Sequence, residues 1–279
     1  MIPQKRDTNA YKNQFGRVVN FAGCFNMSGA AQLSTAAVLR SGAGLTILAS
    51  TRDVINRIGG FLPEAMFFPL AADENDAFSG ADCGKAVDFI KNADVVMFGC
   101  GVSQSAGAAL LLEAILKSDV PVKIIDADGI NLLARRIELL KEAKGTTVLT
   151  PHQGELERLC GHKITDSASR EASAADFARE NGVIVLSKGV PNFVCAKSVS
   201  RVFAGNPGLA KGGSGDVLAG IAAAFCAKEQ DLVRALEAAV SVHGKAADLA
   251  RDSFGETGMT AGDVVSFIPE AVMRICCRE

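Results

Sequence analysis

The chain has 279 residues, of which 48% are hydrophobic and 22% are charged, so it has the composition of a globular protein that can bury a sizeable core. Its formal net charge of -2 and its isoelectric point near 6.0 exclude a global basic field and argue against nucleic acid or an anionic membrane as the main partner. A small molecule is the expected partner.

The N-terminal stretch and the cysteines predict the compartment. MIPQKRDTNAYKNQFG is polar and lacks the apolar centre of a signal peptide, and no apolar run approaches the roughly 20 residues of a membrane span. The eight cysteines show no CxxC spacing and no zinc-ligand interval with histidine; they stand at positions 24, 83, 100, 160, 195, 226, 276 and 277. We expect reduced thiols and a cytoplasmic protein.

In chain order, short apolar runs alternate with alanine-rich amphipathic segments. Strands are predicted for six runs: RVVNFAG from Arg17, GLTILAS from Gly44, DVVMFG from Asp94, VKIIDA from Val122, TTVLT from Thr146 and GVIVLSKG from Gly182. The intervening AAQLSTAAVLRS and AALLLEAILKS repeat apolar residues at three and four, which predicts helices. NFVCAKSVSRVFAG is predicted to form a hairpin, and everything after Gly212 is predicted to be helical.

This alternation predicts the α/β class, with a mostly parallel central sheet and helices on both faces, because right-handed crossovers join successive parallel strands. No Pro/Ser-rich linker, charge block or internal repeat divides the chain, so residues 1–279 are expected to form a single domain. Ligands of such sheets bind beyond the carboxyl ends of the strands. Four segments that follow predicted strands are therefore candidates for the site: FGCG, DADGIN, TPHQGE and SKGVPN.

Each of these segments also has an ordinary structural interpretation. The glycines of FGCG can simply end a strand, and the two aspartates of DADGIN can cap the following helix. His152 can be a solvated loop histidine, and Glu155 can be a first-turn carboxylate that interacts with the helix dipole. Their occurrence after successive strands favours a shared site.

The stretch NPGLAKGGSGDVLAGIAAAF, residues 206–225, combines a flexible turn, one acid and an apolar helix. Glycines 212, 213 and 215 leave backbone N–H groups free to converge on an anion, and a helix starting near Ser214 adds its positive end. It is neither a P-loop, because no GK[ST] closes it, nor a GxGxxG unit. The alternative is a plain turn in which Ser214 is the N-cap and Asp216 supports the helix dipole.

Asp216 makes the anion interpretation chemically specific. Its carboxylate would share space with the bound phosphate, and two negative charges repel each other unless the acid has a task such as taking a proton from a nucleophilic hydroxyl. The following helix, with Val217, Leu218, Ile221 and Phe225 on its apolar side, would hold the acid rigidly.

The motifs NPGLAKGGSGDVLAG, TPHQGE, DADGINLLA, SGAGL and VSVHGKAADLA together resemble the ADP-dependent NAD(P)H-hydrate dehydratases, a branch of the ribokinase-like superfamily. The resemblance runs in order from about Lys12 to about Pro269. GGSGD alone indicates the superfamily, whereas the combination indicates this branch. Many relatives carry an additional epimerase domain, and we expect this chain to be a stand-alone dehydratase.

The resemblance implies a ribokinase-like fold and a repair reaction. The S form of hydrated NADH or NADPH would be phosphorylated on its hydroxyl by ADP, and loss of phosphate would then restore NAD(P)H, with AMP and phosphate as products. Mg²⁺ is the implied cofactor, ADP the co-substrate, and a homotetramer the implied assembly.

The resemblance also assigns roles to residues. Asp216 would be the base that deprotonates the substrate hydroxyl, and Ala43, Gly101 and His152 would contact the hydrated dinucleotide with it. Glu155 would help to orient magnesium and water. The nucleotide would lie near Lys188, Gly189, Val190, Pro191, Asn192, Asn206, Gly212, Gly213, Ser214 and Gly215. The N–H groups of Gly212 to Gly215 would stabilise charge on the transferred phosphoryl group.

The chain departs from the family pattern at three places, of which Ser187, where an apolar residue is more usual, changes little. Lys211 stands where a threonine or similar small residue is usual, and it would either contact phosphate or point to solvent. GCGVS, which contains Cys100 and Ser103, replaces a GPGLG-like run. Two other functions remain open: an ATP-dependent kinase of a small hydroxylated heterocycle, and a non-catalytic nucleotide-binding protein.

Overall fold

A nine-stranded sheet forms the centre of the computed structural model, which describes residues 7–276 apart from the side chain of Cys276. The spatial order is β3-β2-β1-β4-β5-β6-β7-β8-β9. The strands are β1 (Arg17–Phe21), β2 (Leu45–Thr51), β3 (Met66–Leu70), β4 (Val95–Phe98), β5 (Val122–Ile125), β6 (Thr146–Leu149), β7 (Ile184–Ser187), β8 (Asn192–Cys195) and β9 (Val199–Val202).

The pairing is parallel from β3 to β7 and antiparallel from β7 to β9. The predicted mostly parallel sheet, its six strands and the terminal hairpin are therefore confirmed. Sequence analysis missed β3, whose MFFPL contains a proline and lies at the sheet edge, paired with β2. Proline argues against a central strand but is tolerated at an edge, where its missing N–H interrupts no second ladder.

Ten helices cover the two faces of the sheet within the described residues. Buried residues of α1, α2, α8, α9 and α10 form one core layer, and those of α3 to α7 form the other. Their bounds are α1 (Ser28–Arg40), α2 (Arg52–Ile58), α3 (Cys83–Ile90), α4 (Ala106–Lys117), α5 (Ala127–Leu133), α6 (Gln153–Cys160), α7 (Ser167–Asn181), α8 (Ser214–Cys226), α9 (Leu232–Gly258, non-helical at Gly255) and α10 (Ala261–Cys276).

Alternation along the strands feeds both layers. Val18 of β1 packs into the layer of α1 and α8, whereas the next residue, Val19, packs into the opposite layer. The predicted helical region after Gly212 is confirmed as α8, α9 and α10. Between residues 7 and 276, no helix combines the length and apolar character required to cross a bilayer.

The strand order reverses between β1 and β4, because β1 pairs with β2 on one side and with β4 on the other. Such a switch point opens a crevice outside the carboxyl ends of the two strands, where ligands of open α/β sheets bind. The fold therefore provides two distinct edges: a carboxyl edge that carries the crevice, and an amino edge where the parallel strands begin.

Candidate functional site

The carboxyl edge gathers most of the segments that were singled out in the sequence. Cys100 follows β4, Asp126 follows β5, His152 follows β6 and Lys188 follows β7. Asp216 enters the same space from the first turn of α8. Residues separated by more than 100 positions along the chain thus form one polar cluster, as the position of the segments after parallel strands predicted.

An ion pair forms the base of this cluster. The Nζ atom of Lys188 lies 2.7 Å from Oδ1 of Asp126, and the hydroxyl of Thr150 donates to the same oxygen at 2.7 Å. Burial disfavours the charged form of Lys188, but attraction to Asp126 and to Glu155 outweighs it, so the pKa of Lys188 is raised. Lys188 is therefore charged near neutral pH.

Asp126 corrects one sequence interpretation. It occupies the N-cap position of α5, yet its side chain makes no capping hydrogen bond and is directed to Lys188 and Thr150 instead. At 1% exposure it is a buried carboxylate that was absent from the predicted site residues. The available signal was its position directly after a buried strand, in DADGIN.

Asp216 lies beside Asp126 and Cys100, and one ligand-type atom from each of the three residues lies within 4.8 Å of the others. Burial, followed by the charge of Asp126, raises the pKa of Asp216 to about 6, while a hydrogen bond with Cys100 lowers it. The ammonium of Lys188 already neutralises Asp126, which opposes a cation at this cluster. Asp216 is thus a carboxylate poised to exchange a proton near neutral pH.

The glycine-rich turn begins α8 without a side-chain cap. Gly213, at φ +91°, is the N-cap residue, and Ser214 is the first helical residue, so the alternative in which Ser214 caps the helix is wrong. The N–H groups of Gly212, Gly213, Gly215 and Asp216 have no acceptor in the part of the chain that the structure describes. Four donors at the positive end of a 13-residue helix suit an anion.

A cavity of about 630 Å³ opens beside this turn. Its volume lies in the range of small-molecule sites. Seven of the ten residues predicted to bind the nucleotide line it: Lys188, Gly189, Val190, Asn192, Asn206, Ser214 and Gly215. Pro191, Gly212 and Gly213 belong to the same two loops but are not among its lining residues. The cavity therefore joins the two loops that sequence analysis had linked only by resemblance.

His152 and Glu155 are bound to each other at the start of α6. Nδ1 of His152 accepts from the N–H groups of Gly154 (3.0 Å) and Glu155 (3.3 Å), which leaves Nε2 to face Glu155 Oε1 at 3.3 Å. The other carboxyl oxygen of Glu155 accepts the N–H of His152 at 2.9 Å. Burial lowers the pKa of His152 and raises that of Glu155 to about 7.

This pairing bears on the two roles predicted for these residues. His152 lines the cavity, so a ligand there can reach it. Both oxygens of Glu155 already have partners and the residue is 4% exposed, so it is not prepared to bind Mg²⁺ directly. Magnesium retains water readily in proteins, and a carboxyl group of this kind fits a bound water better than the ion.

Two further residues predicted to contact the dinucleotide lie at different edges. Gly101, at φ +68°, follows β4 at the carboxyl edge, next to the switch-point crevice. Ala43 precedes β2, between α1 and that strand, and so lies at the amino edge. Within one chain the structure does not bring Ala43 to the cluster, and its contact with a dinucleotide stays a prediction.

Lys211 is exposed and lines the cavity, and its ammonium is also hydrogen-bonded within the chain. Its ammonium donates to the backbone carbonyls of Thr257 and Met259, where α9 ends. Asn206 is similarly committed: its amide donates to Asp248 at 3.0 Å, and its oxygen accepts the N–H of Gly208 at 3.0 Å. Both side chains therefore shape the turn that leads into the glycine-rich segment.

Comparison with known proteins gives a consistent result. The family profile described as NAD(P)H-hydrate dehydratase matches residues 18–270. The chain is 31% identical over 253 residues to the ADP-dependent (S)-NAD(P)H-hydrate dehydratase of Streptococcus thermophilus, an alignment that covers 88% of this chain and 87% of that protein. The chain belongs to the NAD(P)H-hydrate dehydratase family.

Longer relatives share the same region. The chain is 35% identical over 266 residues to the bifunctional NAD(P)H-hydrate repair enzyme Nnr of Coxiella burnetii, covering 93% of this chain and 51% of the relative. It spans about half the length of the first curated relatives that it matches.

Solved structures confirm the ribokinase-like fold that was predicted for this chain. The ADP/ATP-dependent NAD(P)H-hydrate dehydratase of Bacillus subtilis, co-crystallised with ATP and Mg²⁺, superposes with a TM-score of 0.83 at 26% identity, covering 97% of this chain and 93% of that one. Phosphofructokinase-2 of Escherichia coli shares the fold alone, with a TM-score of 0.62 at 11% identity, covering 92% and 99% of the two chains.

Proposed function

We propose that this chain is an ADP-dependent dehydratase that restores NADH or NADPH from the S form of its hydrate. The observation that carries this proposal is the placement of Asp216, a carboxylate with a pKa of about 6, beside four free N–H groups and next to the 630 Å³ cavity. A base and an anion-binding turn that share one helix start suit phosphoryl transfer to a hydroxyl.

The first step is phosphorylation of the substrate hydroxyl. Asp216, ionised above about pH 6, accepts the hydroxyl proton while the oxygen attacks the terminal phosphorus of ADP and the bond from phosphorus to the bridging oxygen breaks, releasing AMP. The free N–H groups of Gly212, Gly213, Gly215 and Asp216 stabilise the charge on the transferred phosphoryl group, and the ammonium of Lys188 borders the same cavity.

The second step is elimination. Phosphate is a better leaving group than hydroxide, so the lone pair of the ring nitrogen expels it and the conjugated dihydronicotinamide is restored after loss of a ring proton. The switch-point crevice beside Gly101 suits the dinucleotide, and the cavity on the other side of Asp216 suits ADP, which puts the base between the two reactants.

Mg²⁺ would enter with the nucleotide. Carboxyl oxygens of Glu155 and Asp126 are engaged by His152, Lys188 and Thr150, so the ion would be held mainly by phosphate oxygens and water, with Glu155 orienting a bound water. When bound, the ion screens the negative charge of the diphosphate.

The test mixes purified protein with hydrated NADH, Mg²⁺ and either ADP or ATP and follows the absorbance of regenerated reduced nicotinamide. A rise with ADP supports the proposal. A rise with ATP alone would retain the chemistry and change the nucleotide. No rise in a protein that binds ADP would favour a kinase of a small hydroxylated heterocycle or a non-catalytic binder, which assays of phosphorylated product would separate.

A further inference from the structure

A buried arginine lies directly behind the loop of residues 188–191. Arg170, on α7, is 5% exposed. Its Nη1 donates to the carbonyl and hydroxyl oxygens of Ser187, each at 3.1 Å, and to the carbonyl of Lys188 at 3.2 Å, and its Nη2 donates to the carbonyl of Pro191. All these acceptors belong to the loop or to the strand residue just before it.

Among the described residues, no carboxylate forms an ion pair with Arg170. The neighbouring carboxylate, Glu171, is directed to Arg201, with the nearest atoms 2.8 Å apart. The remaining contact of the guanidinium is the ring of Phe193, whose centroid lies 4.4 Å away. Burial of a cation whose partners are carbonyl dipoles and an aromatic ring costs desolvation free energy. Packing of the core alone does not explain an arginine at this position.

The contacts of Arg170 orient the loop. Because the carbonyls of Lys188 and Pro191 face the guanidinium, they are directed toward α7. The N–H of Val190, by contrast, has no acceptor among residues 7–276. Lys188, Gly189 and Val190 line the cavity. Carbonyl oxygens repel a bound anion whereas N–H groups attract it, so this orientation favours an anionic ligand.

The loop is also in direct contact with the cation. A Cβ atom added at Gly189 would lie 2.7 Å from Cζ of Arg170, so the backbone there sits against the guanidinium. One layer of backbone therefore separates the buried positive charge from the cavity. At that distance the charge attracts an anion on the other side of the loop, and the attraction is stronger where the anion displaces solvent.

We propose that Arg170 is a positioning residue for the nucleotide: its guanidinium holds the carbonyls of the 188–191 loop away from a bound nucleoside diphosphate, and its charge attracts that anion through the loop. The inference rests on the proposed nucleotide role of the cavity and extends it to a residue that does not line the cavity.

The experiment compares Arg170→Met, Arg170→Lys and a control on the same helix, Arg179→Met, which removes an exposed arginine that pairs with Asp176 at 2.6 Å. Affinity for ADP is measured by calorimetry, and KM for ADP, KM for hydrated NADH and kcat are measured separately. We expect Arg170→Met to weaken ADP binding by about tenfold or more, since several charge-assisted hydrogen bonds are lost. Arg170→Lys should lie between it and the wild type, and Arg179→Met should match the wild type.

The KM for hydrated NADH and kcat at saturating ADP should stay within about threefold of wild type in both variants, because the dinucleotide side of Asp216 is untouched. A second readout is rescue: millimolar guanidinium should partly restore ADP affinity to Arg170→Ala. A general loss of structure would not respond in this way.

Wild-type ADP affinity in Arg170→Met at a temperature below its unfolding transition would overturn the inference, as would an equal loss of affinity for ADP and for hydrated NADH. If Arg170→Met does not fold, Arg170→Lys decides, and wild-type ADP affinity in it contradicts the role of the guanidinium. A wild-type protein that binds ADP without turnover would defeat the proposed function alone, since ADP affinity would still judge Arg170; one that does not bind ADP would defeat both.

Discussion

Two lysines, one buried and one largely buried, lie at opposite edges of the sheet, and their partners differ in kind. Lys188, at the carboxyl edge, is paired with the carboxylate of Asp126, and its pKa is raised. Lys123, near the amino edge, donates to the carbonyls of Val120 (2.8 Å) and Lys144 (2.6 Å), and burial lowers its pKa to about 8. Both have hydrogen bonds, yet only one has its charge balanced.

The difference shows what each edge is built to do. Two carbonyls accept two of the three N–H donors of Lys123 but do not offset the loss of its hydration, so its charge destabilises the fold. At the carboxyl edge, Asp126 offsets that loss and keeps an ammonium beside the cavity and the carboxylate of Asp216. At the amino edge Lys123 is bonded to backbone carbonyls, whereas at the carboxyl edge Lys188 and Asp126 form part of the candidate site.

The largest expected effect separates the edges by function. Asp216→Asn should lower kcat by roughly 10²- to 10⁴-fold, because an amide cannot accept the substrate proton, while ADP affinity changes little. Asp94→Asn is the amino-edge control: Asp94 accepts the N–H of Arg17 at 2.7 Å and lies far from the cluster along the strands. Steady-state kinetics with hydrated NADH would measure kcat in both variants. A full rate in Asp216→Asn would refute the role of that carboxylate.

Breaking the carboxyl-edge ion pair should have the next largest effect. Lys188→Met leaves the buried carboxylate of Asp126 without its cation, and the free energy of unfolding should fall by about 3 kcal/mol. Lys188→Met with Asp126→Leu should recover most of this stability but no activity. Urea unfolding and kinetics measure both; a double variant as unstable as the single one would show that the charge of Asp126 is not the cause.

At the amino edge, the corresponding substitution Lys123→Met should raise the free energy of unfolding rather than lower it. The pKa of Lys123 is about 8 in the folded chain and close to 10.4 when unfolded, so the unfolded chain binds more protons between these values. Wild-type stability should therefore rise with pH in this window, by on the order of 2 to 3 kcal/mol, and Lys123→Met should lack the rise.

The measurement is the difference in unfolding free energy between wild type and variant from about pH 7 to pH 10. Lys91→Met provides a control, because the exposed Lys91 pairs with Asp88 on the surface. A pH-independent difference between wild type and Lys123→Met would mean that folding does not lower the pKa of Lys123.

The smallest expected effect sharpens the chemistry of the carboxyl edge. The hydrogen bond from Cys100 lowers the pKa of Asp216, which burial and Asp126 raise to about 6. Cys100→Ala should therefore move the acidic limb of the pH profile of kcat to higher pH without changing the plateau, whereas Cys100→Ser retains a donor and should not. An unmoved limb in Cys100→Ala would show that the thiol does not act on Asp216.

The sequence predicted the elements whose signal is local. Short sequence patterns predict six strands, the hairpin and the glycine-rich start of α8. The order of these elements places Asp216 and Lys188 at the carboxyl edge. Side-chain partners were beyond reach, because Asp126 and Lys188 are 62 positions apart and only the folded sheet sets their distance. For the same reason Lys211 was left open, and Arg170, inside an ordinary helix, gave no signal at all.

The close contact between α8 and α1 makes the position of Asp216 sensitive to substitutions far from the cavity. A Cβ atom at Gly220 would lie 2.3 Å from the carbonyl oxygen of Ser34 and 2.7 Å from the Cβ of Ala37. Gly220 is one helical turn from Asp216, so a single added methyl group would push α8 outward and displace Asp216, the proposed base. If the proposed function holds, a Gly220→Ala variant would be slow although every proposed ligand-binding residue is unchanged.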